Sequence, residues 1–432
     1  MKKPSIADFQ KMPDQLGKII YLQLQSEDMR KLINNAQNKY MGWEKFQYQK
    51  TPKEFSIEEA WICLTLKRAS GFEKSPIKIP SAQYFKYCVT KEHQRMLSII
   101  DSQTSGAFAS EVNLPEGKQR DRLVINGLME EAINSSQLEG ASTSRDVAKK
   151  MIKSGRNPRN ESEAMILNNF YAMERIEAWK TKKLDEEFLL ELHSILTKDT
   201  LSEDERGKFR TDTDNVVVSD PVTGEVFHRA PPADFLSLEL ENLYEFANND
   251  SDEEYIHPVL KAIFIHFWIG YLHPFTDGNG RTARVLFYWY LIKKDYWLFK
   301  YITTSKTIKA SKKSYGEAYV LAEQKDELDL GYFIQYILRT TLLSIDDFKT
   351  YLKRKVLEEK TLREELSRND LNERQLDMLN YLNKGHGSID IEFYKKRYNL
   401  VYESARRDLS ELEDKKLVKK RKSGRKFLFE NV

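Results

Sequence analysis

The sequence predicts a mainly α-helical protein with one β-hairpin near its middle and a small helical module ending in a second hairpin at its C-terminus. Three observations carry that expectation. Beyond residue 120, apolar residues recur at three- and four-residue steps, the spacing of one helix face. One segment, 210–232, breaks that pattern with a β-branched run and a Pro/Gly turn. The residues after 365 read as three short helices followed by two short strands.

In chain order, the first 115 residues place Trp43, Phe46, Phe55, Trp61, Phe72, Tyr84, Phe85 and Tyr87 among short polar and Pro-containing segments. That composition suits a small packed accessory domain over residues 1–118, with Gln103 to Gly117 connecting it to the helical segments beyond. Leu123, Ile125, Leu128, Met129, Ala132 and Ile133 make the first long stripe, which stops at Glu139-Gly140. Met165, Ile166, Phe170, Met173 and Ile176 make a second, and Phe188, Leu189, Leu192, Ile195 and Leu196 a third. Val216-Val217-Val218, the turn Asp220-Pro221-Val222-Thr223-Gly224, and Val226-Phe227 form the hairpin, and Ala230-Pro231-Pro232 hands over to another helix. Val259–Leu272 is apolar nearly all round and too long for a strand, so it reads as a buried helix.

A length of 432 residues exceeds one ordinary domain. The expected division is 1–118, a catalytic body at 119–350, and a C-terminal module at 365–432. With 69 basic and 66 acidic residues the net charge is +3, too balanced to make the whole chain a nucleic-acid binder. Lys261 and His266 interrupt the longest apolar stretch, which falls short of the roughly 20 residues a membrane crossing needs. Met1-Lys2-Lys3 is not succeeded by the apolar run of a secretory signal. Two cysteines, Cys63 and Cys88, build neither a disulfide framework nor a cysteine-based zinc site. The expectation is a cytoplasmic protein with no membrane partner.

The stretch that carries chemistry is His273-Pro274-Phe275-Thr276-Asp277-Gly278-Asn279-Gly280-Arg281-Thr282-Ala283-Arg284, between the Val259–Leu272 helix and the apolar run Val285–Ile292. Pro274 and the glycines open a loop, and a new helix can start at Asn279 with Arg281 and Arg284 one turn apart on one face. Unpaired backbone N–H groups at a helix N-terminus favour an anion, and glycines let a phosphate approach closely. Two arginines add charge-assisted bonds to phosphoryl oxygens. Asp277 beside such an anion site makes sense as a Mg²⁺ ligand, and His273 as a general base near neutral pH. Base, metal ligand and polyphosphate cradle on one loop describe phosphoryl or nucleotidyl transfer. Gly278-Asn279-Gly280-Arg281-Thr282-Ala283 also fits a dinucleotide pattern, but a helix rather than a strand precedes it. A metal site from His257, His266 and His273 competes with a plain core role for His266.

This stretch resembles the signature of the Fic family, His-x-Phe-x-(Asp/Glu)-Gly-Asn-Gly-Arg-x-x-Arg, and matches it at every defined position. The resemblance implies a helical core with a β-hairpin flap, and adenylyl transfer from ATP to a hydroxyl side chain of a target protein. It implies that His273 deprotonates the hydroxyl, that Asp277 holds Mg²⁺ and that Phe275 anchors the loop. Gly278, Asn279, Gly280 and Arg281 would bind the α- and β-phosphates and Arg284 the γ-phosphate. The 210–232 hairpin resembles the flap that lines up the target segment by strand addition, with Val216, Val217, Val218 and Ser219 bordering the nucleotide. Tyr319 takes the place of one ring of the aromatic pair that covers the adenine in relatives, but its neighbour is Ala318. Self-modification and a homodimer stay open as further partners.

Ser135-Ser136-Gln137-Leu138-Glu139-Gly140 matches the family's inhibitory pattern, (Ser/Thr)-x-x-x-Glu-(Gly/Asn). Its implication is a resting chain in which Glu139 takes Arg284 from the γ-phosphate, with Ser135 part of the same motif. Removal of AMP is a linked activity in some relatives. The competing reading is a helix C-cap with Gly140 in the left-handed position and Glu139 in solvent.

At the C-terminus, Leu376, Leu379 and Leu382 mark a first helix that stops at Lys384-Gly385-His386-Gly387, and Ile389, Ile391 and Phe393 lead into a second. Tyr402 to Leu412 is a third, and Leu417-Val418 and Phe427-Leu428-Phe429 are strands around Ser423-Gly424. That layout is a winged helix-turn-helix. Lys415, Lys416, Lys419, Lys420, Arg421, Lys422, Arg425 and Lys426 crowd the wing, which suits either DNA phosphates or a protein-docking face. The rival function is therefore a DNA-binding regulator whose body senses nucleotide.

Overall fold

Capped helices build the N-terminal part. Ser26 accepts from the Met29 amide at the start of α1 (Glu27–Asn38). After the short α2 (Trp43–Phe46), Ser56 and Glu59 close a reciprocal capping box on α3 (Ile57–Ala69). Met29, Ile33, Trp43, Phe46 and Trp61 share one cluster. A ribbon of β1 (Glu73–Lys78) and β2 (Tyr84–Tyr87) then leads to α4 (Lys91–Thr104), whose Thr90 cap uses His93 as its partner. The computed structural model describes residues 3–5, 17, 21, 25–105, 118–219, 224, 226–249, 251, 255–323, 328–369, 371–383, 387–423 and 426–432. The chain divides into two units, Met1–Phe348 and Lys349–Val432.

The first unit joins the N-terminal segment to the helical body. Buried Arg68 donates to Tyr332 Oη at 2.9 Å, and Tyr40 Oη donates to Asp329 at 2.8 Å. Phe85 sets its edge on Phe267 at 5.2 Å. Most of the connection expected at Gln103–Gly117 lies outside the described residues.

The body consists of α5 (Lys118–Leu138), α6 (Arg145–Ser154), α7 (Glu161–Trp179), α8 (Glu186–Leu196), α9 (Ala233–Asn248), α10 (Pro258–Leu272), α11 (Asn279–Lys293), α12 (Thr304–Ala310), α13 (Lys312–Ala322) and α14 (Gly331–Asn369), the last running across the division at Phe348. α10 and α11 pack against each other and are buried on nearly every face, which is why neither shows an amphipathic pattern. Trp268, Tyr288 and Trp289 fill that centre.

Helix α5 is fastened to this core by close approach and by a buried carboxylate. A Cβ at Gly127 would meet the carbonyl oxygens of Tyr301 and Lys300 at 2.8 and 2.9 Å, so only glycine lets the helix lie this close. Glu131 accepts from Tyr288 Oη at 2.8 Å and from the Ser305 amide at 3.1 Å. Desolvation pushes the Glu131 carboxyl above its ordinary range.

Between α8 and α9, β3 (Val217–Ser219) and β4 (Val226–Arg229) pair antiparallel, with Val217 opposite Arg229 and Val218 opposite His228. The register shifts before Ser219 meets Val226. The turn residues Asp220-Pro221-Val222-Thr223 lie outside the described residues.

The second unit contains α15 (Glu373–Asn383), β5 (Ile389–Asp390), α16 (Ile391–Tyr398), α17 (Tyr402–Asp414), β6 (Val418–Ser423) and β7 (Lys426–Asn431). The two expected strands become an antiparallel sheet of order β5-β7-β6, because Ile389 and Asp390 pair with Phe429 and Leu428 instead of only leading into a helix. Met378, Tyr394, Leu409, Leu412 and Phe429 form its core. The stop at Lys384-Gly385-His386 and the wing residues Gly424 and Arg425 lie outside the described residues. Among the described residues, no helix is long and apolar enough to cross a membrane.

Candidate active site

The site grows from the junction of α10 and α11. His273 ends α10 in the left-handed conformation, φ 47°, and turns the chain away from the helix axis. Its Nδ1 stands 2.7 Å from the Gly270 carbonyl oxygen, which can only accept, so Nδ1 carries the proton and Nε2 keeps its lone pair. Burial, with His228 and Arg210 nearby, lowers the imidazole to about 4. A neutral ring with a free Nε2 is the form a general base requires.

Arg210 holds this corner. Its Nε donates to His273 O at 2.7 Å and its Nη2 to Leu272 O at 3.1 Å, a cation on the open carbonyls of a helix C-terminus. Nη2 also reaches Pro231 O at the base of the hairpin. Phe275 is fully buried and stacks on His193 at 3.6 Å with the rings almost parallel. His193 Nδ1 accepts from the Gly207 amide, so its Nε2 donates to Asp277 O at 3.0 Å. Asn279 spends its side-chain amide on Phe275, accepting from N at 2.9 Å and donating to O at 2.8 Å. The loop is thus fixed before any ligand arrives. Neither Arg210 nor His193 is among the residues expected from the sequence; no local pattern marks either one, since their partners lie between 14 and 84 residues away.

Gly278 takes φ 81° and starts α11, where the amides of Gly278, Asn279 and Gly280 open the helix N-terminus. Arg281 is fully buried, donating to Leu196 O at 2.9 Å and to Asp277 Oδ2 at 3.1 Å. Arg284, one turn on, donates from Nε to Ser135 Oγ at 2.8 Å and from Nη2 to Ser135 O at 3.0 Å and Glu139 Oε1 at 2.7 Å. Arg281 Nε and Arg284 Nη1 are buried without partners among the described residues. A Cβ at Gly280 would overlap Glu139 Oε1, which puts that carboxylate against the open helix end. Desolvation works to raise the Glu139 carboxyl; Arg284, Arg281 and Lys312 outweigh it and hold it below the ordinary range. Lys312 Nζ also donates to Leu138 O at 3.0 Å, fastening the end of α5.

The other expected residues sit around this centre. Val216 to Ser219 form the hairpin edge, with Val217 and Val218 more than a third exposed. Tyr319 lies over Gly270, where a Cβ would overlap its hydroxyl, and stacks on Phe267 at 5.2 Å. Of the three histidines weighed as a metal site, His257 caps α10 and bonds Asp101, while His266 Nε2 bonds Tyr315 Oη. Among the described residues there is no group of three or more His, Cys, Asp or Glu able to hold a metal. The donor set that fits Mg²⁺ is a different one. Asp277 leaves 57% of its side chain exposed beside the anion cradle, and a single carboxylate suits a cation that completes its shell with phosphate oxygens and water.

The fold and the loop define the class: a helical body with a signature loop between two buried helices. In fold the chain is similar to a Fic family protein from Desulfovibrio desulfuricans G20, with a TM-score of 0.51 at 17% identity over 78% of this chain and 94% of that one. Residues 183–291 match the model of the Fic/DOC family. Among curated relatives, the protein adenylyltransferase Fic of Nematostella vectensis is 30% identical over 147 residues, 33% of this chain and 29% of that protein. The protein of the same name from Drosophila grimshawi is 26% identical over 136 residues, 29% of this chain and 26% of its own length. The chain therefore spans less than a third of the curated relatives it matches.

Proposed function

We propose that this protein transfers AMP from ATP to a hydroxyl side chain of a target protein, and that Glu139 restrains the reaction. The observation that carries the transfer is the free Nε2 of His273 on the same rigid loop as an anion cradle made of helix amides, Arg281 and Arg284. The names of the matched relatives support the same chemistry. In the reaction His273 Nε2 takes the hydroxyl proton as the oxygen bonds the α-phosphorus, and the bond to the β-phosphate oxygen breaks to release pyrophosphate. The α11 N-terminus and Arg281 hold the α- and β-phosphates, and Arg284 the γ-phosphate. Asp277 would hold Mg²⁺, which supplies compensating charge on the phosphates when bound.

Restraint is supported by the Glu139–Arg284 bond. A carboxylate on Arg284 and beside Gly280 competes for the groups that a γ-phosphate needs, so ATP would bind in a non-productive orientation. Removal of AMP belongs to the same reading, with Glu139 beside the phosphate site. The test is intact-protein mass spectrometry after incubation with ATP and Mg²⁺, for wild type, Glu139→Gly and Glu139→Gly/His273→Ala. One AMP gained by the chain or by added lysate proteins, more in the single variant and none in the double, is the expected result. No adduct in any sample would overturn the reading.

The basic strand β6 favours a second role for the C-terminal unit, which we read as a winged helix that contacts DNA. Lys419, Lys420, Arg421 and Lys422 are all exposed on it. Duplex binding by the full chain that weakens steeply between about 50 and 200 mM salt is expected. No binding at the lower salt would remove that role.

A further inference from the structure

Among the described residues of β3 and β4, a single side chain is mostly withdrawn from solvent. Val217, Val218, Ser219, Val226, Phe227 and Arg229 are all exposed, whereas the His228 side chain is 10% exposed. It points toward the catalytic corner: the His228 ring lies 5.7 Å from the His273 ring and 5.6 Å from that of Tyr271. Its Nδ1 bonds Glu323 Oε2 at 2.6 Å, beyond the end of α13. A carboxylate can only accept from the ring, so Nδ1 carries a proton. Nε2 is then buried with no partner among the described residues.

An imidazole held by a carboxylate, with its far nitrogen unsatisfied, costs stability unless something arrives to use that nitrogen. Nothing in the transfer chemistry above employs it. Phosphate binding draws on the α11 side of the loop, and His273 by itself can take the hydroxyl proton. What remains beside His273 on the hairpin side is the acceptor. A target segment added along the exposed hairpin edge would lie beside His228 and His273, whose rings are 5.7 Å apart. We propose that the His228–Glu323 pair is the acceptor-positioning element of this protein. His228 Nε2 accepts a hydrogen bond from the target segment and sets its hydroxyl against His273, while Glu323 fixes the ring's tautomer and direction. His228 is a positioning residue and neither takes nor delivers the transferred proton.

This inference rests on the transfer reading, and its test separates the two. Full-length Glu139→Gly protein would be given ATP labelled at the α-phosphate, with the chain itself and lysate proteins as acceptors. The second substitution would be His228→Ala, His228→Asn or His228→Gln. Asparagine can replace the Nδ1 donor and keep the bond to Glu323, but has no atom where Nε2 lies. Glutamine places an amide near Nε2. Expected is a loss of AMP transfer of roughly tenfold or more for both His228→Ala and His228→Asn, with partial recovery for His228→Gln. The apparent KM for ATP and the release of AMP to water should stay unchanged. If His228→Asn transfers as well as the parent, the pair is only a tether for the hairpin and the inference falls. If Glu139→Gly with His228 intact transfers nothing, the transfer reading falls and takes the inference with it.

Discussion

The loop between α10 and α11 and the hairpin between α8 and α9 border the same corner, and they are built in opposite ways. The loop is buried and held redundantly: Phe275 and Arg281 are at 0% exposure, Asn279 braces the backbone at two points, and His193 and Arg210 grip it from other elements. The hairpin is two short strands with a shifted register and an apolar outer surface, Val226 and Phe227 being 49% and 45% exposed. Two strands alone are marginal in water, and this ribbon is secured where Arg210 bonds Pro231 and where His228 bonds Glu323. Reacting groups need fixed geometry to within fractions of an ångström, so they sit on the rigid element. A surface that takes up a polypeptide gains from unpaired strand edges, so under the proposed transfer recognition would fall to the ribbon.

Substitutions should divide the same way. The largest effect belongs to His273→Ala, which should lower AMP transfer by about 10²–10⁴-fold for every acceptor in the Glu139→Gly background. Calorimetry should find that variant folded, with a somewhat lower Tm; an unimpaired rate would move the base elsewhere. Next comes Glu139→Gly by itself. Freeing Arg284 from a charge-assisted bond worth about 1.5–3 kcal/mol should raise transfer roughly 10- to 100-fold. Glu139→Gln, which keeps an acceptor but loses the charge, should fall between the two in a radiolabel assay. A smaller, differently shaped effect is expected on the hairpin. Phe227→Ser should raise the acceptor KM by about tenfold through lost apolar contact, while kcat and the KM for ATP stay put. A kcat loss instead would erase the contrast between loop and hairpin.

The smallest effect concerns four histidines withdrawn from water. His273 and His193 titrate near 4, as does His93, and His266 near 3, all lowered by burial from the ordinary 6.5. In the unfolded chain these rings take up protons near 6.5, whereas the folded chain resists until about 4 or below. Stability is therefore full above 6.5 and falls as the pH drops toward 4. Thermal melts between pH 7 and 5 should show Tm falling by on the order of a few degrees. A flat profile would mean that these rings are more open to water than the packing implies.

Much of the molecule is legible in its sequence, for identifiable reasons. The α10–loop–α11 unit is contiguous, and its apolar runs, Pro274 and glycines state its course within one stretch of chain. The hairpin is legible from β-branched runs around a turn, although its register shift is not. Strand β5 escapes, because two residues paired with a distant strand leave no periodic trace. Tyr319 can be assigned to a position, but its stacking on Phe267 and its fit over Gly270 depend on two helices meeting.

By itself, then, the sequence determined which segments are helical, where the chain breaks, and which residue types share the loop, since those depend on neighbours a few positions apart. The pairing of Glu139 with Arg284 was expected only through the family resemblance, whereas tertiary structure alone decided that His193 stacks beneath Phe275 and that Arg210 caps the helix ending at His273. It also brought His228 beside His273. Each of these is a bond between elements distant in sequence, set by which buried polar groups found partners when the helices packed, and no local pattern encodes that choice.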